Sequence, residues 1–392
     1  MTNEIVIVSA ARTPMGSFQG AYKALTAVDL GAVAIRAAIE RAGIDARLLG
    51  EVLMGNVLSA GLGQAPARQA ALLAGLPKTV PSTTVSKVCG SGMKSVMLAY
   101  DQIKAGSIQS AIAGGMENMS LAPYLLPNAR NGQRLGHGEI IDHLFYDGLQ
   151  NASDGKLMGC FADANAIHDG ITREAMDEYA LESLRRAQGA IAAGYFKEEI
   201  CPVTLQSRRD TILFDTDEPP SQAMPDKIPK LKPAFGENGL VTAANASSIS
   251  DGAAALLIMS RKQAETLSLQ PMAVIKGHTT YAQEPELFTH APIGAISALL
   301  DKVRWDIAEV DLFEVNEAFA MVTIAAISQL GLDADKTNVH GGATALGHPI
   351  GASGARILVT LLYALKRLGK KRGVASLCIG GGEATAVAVE MC

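Results

Sequence analysis

"STTVSKVCGSGMKSVMLAYDQIKAGSIQSAIAGG", residues 82–115, decides how this chain folds. "STTVSKV", rich in β-branched residues, reads as a strand; "CGSGMKSVMLAYDQIKAG" reads as a helix; "SAIAGG" reads as a second strand ending in two glycines. Working towards the N-terminus, "APARQAALLAGL" is a further helix and "EVLMGNV" a further strand. Before them come "AVDLGAVAIRAAIERAG", a helix opened by Asp29, and the strand "EIVIVS". Strands alternating with helices predict an α/β fold with a largely parallel sheet covered on both faces.

Towards the C-terminus the texture changes. From about Pro123 to Pro233 the chain breaks into short pieces with many prolines and glycines. One convincing helix, "TREAMDEYALESLRRAQGAIAAG", interrupts what reads as a long insertion. "SDGAAALLIMS" then returns to core composition, and a second α/β pattern begins near Ala273. In it "DLFEV" is a strand, "EAFAMVTIAAISQLG" and "GASGARILVTLLYALKRLG" are helices, and "VASLCIGGGEATAVAVE" is two strands around a triple glycine. The halves correspond: "KVCGSG" matches "HGGATALGHPIGASG", and "AIAGG" matches "CIGGG". We read this as a diverged internal duplication.

The bulk properties bound the function. At 392 residues the chain exceeds the size of one growing core, so two or three domains are expected. A hydrophobic share of 48% and a charged share of 19% describe a globular protein. The net charge of -5 is mild and no block of like charges appears, which disfavours nucleic-acid and membrane partners and leaves small molecules. The start, "MTNEIVIVSAARTP", has an acidic Glu4 and only a strand-length apolar run, so no signal peptide or membrane span is expected and the cytoplasm is the expected location. Five scattered cysteines without a C-x-x-C pair predict neither disulfides nor structural metal.

Four positions invite chemistry. Cys89 lies where a strand hands over to a helix, where the dipole and free N–H groups favour a thiolate; the alternative is a buried structural thiol. Cys378 ends a strand at the carboxyl edge of the sheet, followed by N–H groups of Gly380 to Gly382; alone, it reads more readily as structural. His348 is flanked by Gly347 and Pro349, an extended, rigid backbone that presents its imidazole as a proton acceptor, whereas His340 reads equally as a structural hydrogen-bonder. Asn316, at a strand-to-helix turn in "EVNEAFA", has a helix N-cap as its plain reading. No G-x-G-x-x-G, P-loop, G-x-S-x-G or H-E-x-x-H is present, which moves hydride transfer, P-loop chemistry and zinc proteolysis out of the front rank.

With these four residues together, the chain resembles the thiolases, and within them the acetyl-CoA acetyltransferases. The motifs that carry the likeness run in order through the chain: "SAARTPMG", "KVCGSGMK", "AGGMENMSLAPY", "NASSISDGAA", "EVNEAFA", "GGATALGHPIGASGARI" and "CIGGG". The resemblance implies a five-layer α-β-α-β-α body of two similar α/β domains. It places the first domain at 1–120 plus 248–271, a loop domain that covers coenzyme A and assists tetramer assembly at 121–247, and the second domain at 272–392. It makes Cys89 the acylated nucleophile, His348 its activator, and Cys378 the acid/base at the substrate α-carbon. It places a first oxyanion site at His348 and a water held by Asn316, and a second at the N–H groups of Cys89 and Gly380. Coenzyme A contacts map onto Leu231, Phe235, Ala243, Ser247, Met158, Ala318 and Phe319.

The implied reaction is reversible condensation of two acetyl-CoA to acetoacetyl-CoA, by a ping-pong route through acetyl-Cys89, in a homotetramer without metal or tightly bound cofactor. The alternatives are a 3-ketoacyl-CoA thiolase of broader chain length, a decarboxylating ketoacyl synthase, and a non-catalytic acyl-CoA or lipid-binding relative. Ser86 and His340 stand where many relatives carry asparagine. "FTHAP" puts Phe288 and His290 near the expected acyl pocket, and no arginine stands near Pro219 and Pro220 where some relatives meet adenine.

Overall fold

The computed structural model describes residues 4–206 and 210–392. The first half contains β1 (Ile5–Arg12), β2 (Gly16–Ser17), α1 (Ala27–Ala42), β3 (Glu51–Gly55), α2 (Pro66–Leu73), β4 (Ser82–Val85), α3 (Ser91–Ala105) and β5 (Ser110–Asn118). The stretch that follows holds two small hairpins, β6 (Tyr124–Leu125) with β7 (Ile141–Asp142) and β8 (Val203–Gln206) with β9 (Thr211–Phe214). It also holds helices α4 (Met158–His168), α5 (Arg173–Ala192) and α6 (Pro219–Gln222). The chain then re-enters the body as β10 (Ser250–Ser260) and α7 (Arg261–Thr266). The second half comprises β11 (Ala273–Ala282), α8 (Ala291–Val303), β12 (Leu312–Val315), α9 (Ala320–Leu330), α10 (Ala343–Leu346), α11 (Ser353–Leu368), β13 (Arg372–Ile379) and β14 (Glu383–Met391).

The sheet runs β12-β13-β14-β11-β1-β10-β5-β3-β4, with β2 beside β10. It is not largely parallel, as the alternation predicts. Parallel pairing is confined to the two flanks, β3 with β4 and β5, and β12 with β13. The centre is antiparallel because β10 returns from the long excursion to slot between β1 and β5, and because β13 and β14 form a hairpin. The halves meet through β1 and β11 along only three residue pairs, Ile5↔Ile275 to Ile7↔Ala273.

Three apolar clusters show the layering. One joins α1 and α2 to the outer face of the first half, through Leu30, Ile35 and Ala70. A second joins α8 and α9 to the outer face of the second half, through Leu299 and Met321. The third, between the half-sheets, is filled by Met93, Val96 and Met97 of α3 and Leu358, Leu361 and Leu362 of α11. Helix, sheet, paired central helices, sheet and helix make five layers. Truncating a fully buried leucine such as Leu358 to alanine would cost about 2–5 kcal/mol.

Two local details differ from the expectation. Thr26, not Asp29, caps α1; Asp29 is its capping-box partner, three residues on, accepting from the Thr26 N–H at 2.8 Å. Helix α4, unanticipated, lacks an apolar stripe because two of its polar residues are buried. Asp163 accepts from the Leu240 and Val241 N–H groups at 2.7 Å, and Asn165 donates to the Glu286 carbonyl at 2.8 Å.

The two central helices start almost in backbone contact. A Cβ on Gly92 of α3 would lie 3.0 Å from the Ala355 nitrogen, and one on Gly354 of α11 would lie 2.6 Å from the Met93 nitrogen. Glycine at both places lets the helix N-termini abut. The turns that precede them, carrying Cys89 and His348, therefore meet at one place.

Candidate active site

Cys89 precedes the N-cap Gly90 of α3 by one residue. Directly before it, Val88 has φ +45°, a strained value for a β-branched residue. Ser91 holds that turn: its hydroxyl accepts from the Lys87 N–H at 2.8 Å and donates to the Val88 carbonyl at 2.7 Å. An ion pair from Lys87 to Glu383 ties the same turn to the start of β14. The N–H of Gly380 and that of Cys89 itself both point at the Cys89 sulfur, but burial dominates and pushes the thiol up to about 11. Cys378, on β13, is 1% exposed; burial first, and Cys89 second, push its thiol up as well.

His348 follows Gly347, whose φ of +97° and fit against Ser250 Oγ exclude a side chain there. The His348 N–H donates to the Ser248 carbonyl at 3.0 Å. Its Nδ1 lies 2.5 Å from Ser353 Oγ, and that hydroxyl donates to the Pro349 carbonyl at 2.9 Å. With the serine hydroxyl donating to Pro349, we assign the proton at Nδ1 to the imidazole. Nε2 is then a bare lone pair, buried and without a protein partner among the described residues. Burial, with Arg356 nearby, pushes His348 down to about 3, so the resting pair is a thiol and a neutral imidazole.

Asn316 is no helix cap, since α9 starts at Ala320 with Phe319 as its N-cap. It lies behind His348, its Nδ2 3.5 Å from Nδ1, and its buried Oδ1 has no protein partner among the described residues. An unpaired carbonyl oxygen there suits a bridging water. Asn316 does not itself line the cavity.

The cavity, about 760 Å³, is lined by Cys89, His348, Cys378 and Gly380. Leu231, Phe235, Ala243, Ser247, Met158, Ala318 and Phe319 line it too, so the structure brings these eleven sequence-derived positions together. Phe288 closes part of the wall, edge-on to Phe319 with ring centroids 6.3 Å apart. Among the described lining residues Lys227 is the one lysine, with no arginine, aspartate or glutamate in that lining, and sequence reading passed over it. His340 is elsewhere, in a separate cavity of about 360 Å³ with Tyr195 and Arg367. Its Nε2 meets the Arg367 guanidinium, and burial with that cation pushes it down to about 4.

This arrangement, two thiols and an imidazole around a long apolar cleft, suits acyl transfer from a thioester. The thiolase N-terminal domain family matches residues 5–262, and the thiolase C-terminal domain family matches residues 269–391. This chain belongs to the thiolase family. It is therefore an acyltransferase by kinship. It is 50% identical to acetyl-CoA acetyltransferase of Cupriavidus necator over 389 residues, 99% of each chain. It is 52% identical to acetyl-CoA acetyltransferase of Escherichia coli over 387 residues, 98% of each. The crystal structure of the Bacillus anthracis acetyl-CoA acetyltransferase superposes with a TM-score of 0.97 at 41% identity, covering 100% of this chain and 99% of that one. The five-layer body described above is thus the thiolase fold. Within this thiolase, sequence reading missed Ser353 and Ser91; only their position beside His348 and Cys89 would have drawn attention to them.

Proposed function

We propose that this chain is an acetyl-CoA C-acetyltransferase, interconverting two acetyl-CoA with acetoacetyl-CoA and free coenzyme A. The observation that carries the reading is the bare Nε2 of His348 in one cavity with Cys89 and Cys378. In the first half-reaction the Cys89 proton passes to Nε2 as sulfur attacks the thioester carbonyl. The oxyanion rests on the Cys89 and Gly380 N–H groups, and losing one such donor costs roughly 3–4 kcal/mol of barrier. The leaving coenzyme A thiolate takes the Cys378 proton. Acetyl-Cys89 then faces an imidazolium and a Cys378 thiolate.

In the second half-reaction that thiolate removes an α-proton from a second acetyl-CoA. The enolate oxygen is held by the Nε2 proton and by a water on Asn316. Carbon attacks acetyl-Cys89, and the departing Cys89 sulfur recovers its proton from His348. The Cys89 proton returns through His348, and Cys378, whose proton left on coenzyme A, is refilled by the substrate α-proton, so every group ends as it began, which suits two thiols whose burial disfavours a lasting charge. In this reading the apolar cleft takes pantetheine, Lys227 meets the phosphate end, and segment 121–247 acts as the cover. The active form is a homotetramer in the cytoplasm.

Intact-mass spectrometry after mixing with acetyl-CoA tests the reading. A single acetyl adduct located on Cys89 and lost in Cys89→Ala is expected. No adduct, or one that survives Cys89→Ala, would sink the mechanism.

A further inference from the structure

Two buried acids take no part in the proton path above. Glu117 and Glu317 are both 0% exposed, and among the described residues neither has a basic partner. Each is satisfied instead by a shell of neutral donors. Glu317 accepts from Tyr179 Oη at 2.9 Å, Ser183 Oγ at 2.8 Å, Asn338 Nδ2 at 2.9 Å, and Thr344 through its Oγ1 at 2.6 Å and its N–H at 3.1 Å. Glu117 accepts from Asn56 Nδ2 at 2.7 Å and from the N–H groups of Val57 at 3.0 Å, Leu58 at 3.2 Å and Gly351 at 3.0 Å.

Thr344 and Gly351 bracket His348. One end of its turn is tied to a carboxylate from the second half of the chain, the other to a carboxylate from the first. Glu317 also directly follows Asn316, and its Tyr179 and Ser183 donors belong to α5, which lines the cavity through Ala180 and Leu184. A neutral side chain could not accept so many donors, and only an acceptor-only group matches both shells. Placing a carboxylate there is costly without a cation, and burial pushes Glu117 up to about 7 despite the opposing N–H groups of Val57, Leu58 and Gly351, so stability alone does not explain it.

We propose that Glu117 and Glu317 are positioning residues that suspend the turn 342–351 between the two halves and thereby aim His348 Nε2 at Cys89 and the substrate oxygen. This rests on the acyl-transfer reading above. The Asn56, Val57 and Leu58 donors fix Glu117 to the loop after β3 in the first half, and the Gly351 N–H carries the tie across to the second, while the Glu317 tie couples the imidazole to the cover of the cleft. An error of about 1 Å in such a group can cost about 10²-fold in rate.

The test uses Glu117→Gln and Glu317→Gln in the full chain, with Glu→Asp at each position as the charge-retaining variant. Thiolysis of acetoacetyl-CoA should lose about 10- to 100-fold in kcat, with KM within about threefold, because neither acid lines the cavity. Alkylation of Cys89 by iodoacetamide, read on its peptide by mass, should slow with kcat, and the Asp variants should recover part of both. Where a Gln variant does not fold, the Asp variant at that position carries the same two readouts. Variants that melt within a few degrees of the parent, yet turn over and alkylate within about threefold of it, overturn the proposal. A parent without thiolysis defeats the functional reading, and the alkylation arm still judges the positioning.

Discussion

Replacing Ser353 with alanine should disable His348 without touching the substrate. Ser353 is fully buried, 2.5 Å from His348 Nδ1, and lies outside the cavity lining. With the hydroxyl gone, the remaining hydrogen-bond contact of Nδ1 among the described residues is the Asn316 amide nitrogen at 3.5 Å, a donor facing a donor in the assigned tautomer. The imidazole then either keeps an unpaired buried N–H or moves its proton to Nε2. An unmade buried hydrogen bond costs about 1–3 kcal/mol, and the alternative tautomer has no free lone pair at Nε2. At about 1.4 kcal/mol per decade this is about a 5- to 150-fold loss in the productive population, and in kcat. Rapid-quench acetylation of Cys89, followed by intact mass, reads the step directly; thiolysis kinetics supply kcat and KM. The expected pattern is a slower acylation rate and kcat with KM within about twofold. A Ser353→Ala enzyme that acetylates at the parent rate would show that this hydroxyl does not set the tautomer.

Two further outcomes follow from buried groups. Phe288→Ala removes a ring that is 3% exposed and packed on Phe319, so activity on a C8 ketoacyl-CoA should rise at least about tenfold relative to acetoacetyl-CoA, with about 3–5 kcal/mol lost in stability; an unchanged ratio in a chain-length series refutes Phe288 as the limit. Burial pushes Glu314 from its ordinary 4.5 up to about 8, partly opposed by Arg356, so the folded chain keeps a proton that the unfolded chain releases between those values. That contribution to stability is whole below about pH 4.5 and is lost as pH rises towards 8. Melting temperatures taken across this range should fall with pH, and Glu314→Gln should flatten the slope. A slope unchanged by the substitution removes Glu314 as its source.

Local context carried some of this structure and could not carry the rest. Cys89 announces itself through a strand-to-helix handover, and His348 through the Gly347 and Pro349 that flank it, because a few neighbours suffice to define those backbones. The antiparallel centre of the sheet is invisible locally: β10 reads as a core segment, and only the packing of β1 and β5 on either side of it reveals its direction. Asn316 reads as a helix cap until the helix is seen to start at Ala320. Glu117 lies 234 positions from the Gly351 N–H that it accepts, a relation no window of sequence contains. The buried polar residues of α4 misled in the opposite sense, since a helix satisfied by hydrogen bonds loses the periodicity by which helices are recognised.

The same geometry accounts for a candidate site at the seam between the two halves. Each half supplies a helix preceded by a turn, and glycines at Gly92 and Gly354 let the two N-termini touch. Cys89, the proposed nucleophile, then comes from one half and His348, the proposed base, from the other, with Cys378 arriving on the hairpin strand of the second half. A thiol raised to about 11 and an imidazole lowered to about 3 are poor partners for a resting ion pair, and no such pair is needed. In the proposed mechanism charge separates only when a thioester carbonyl enters and offers its oxygen to the N–H groups of Cys89 and Gly380, so the substrate itself would complete the electrostatics. In the proposed cycle, acylation leaves an imidazolium and a Cys378 thiolate in one cleft, an arrangement that condensation with a second acyl group would discharge. In that cycle, the burial that makes Cys378 a weak acid at rest would also make its thiolate, once formed, basic enough to take a carbon-bound proton.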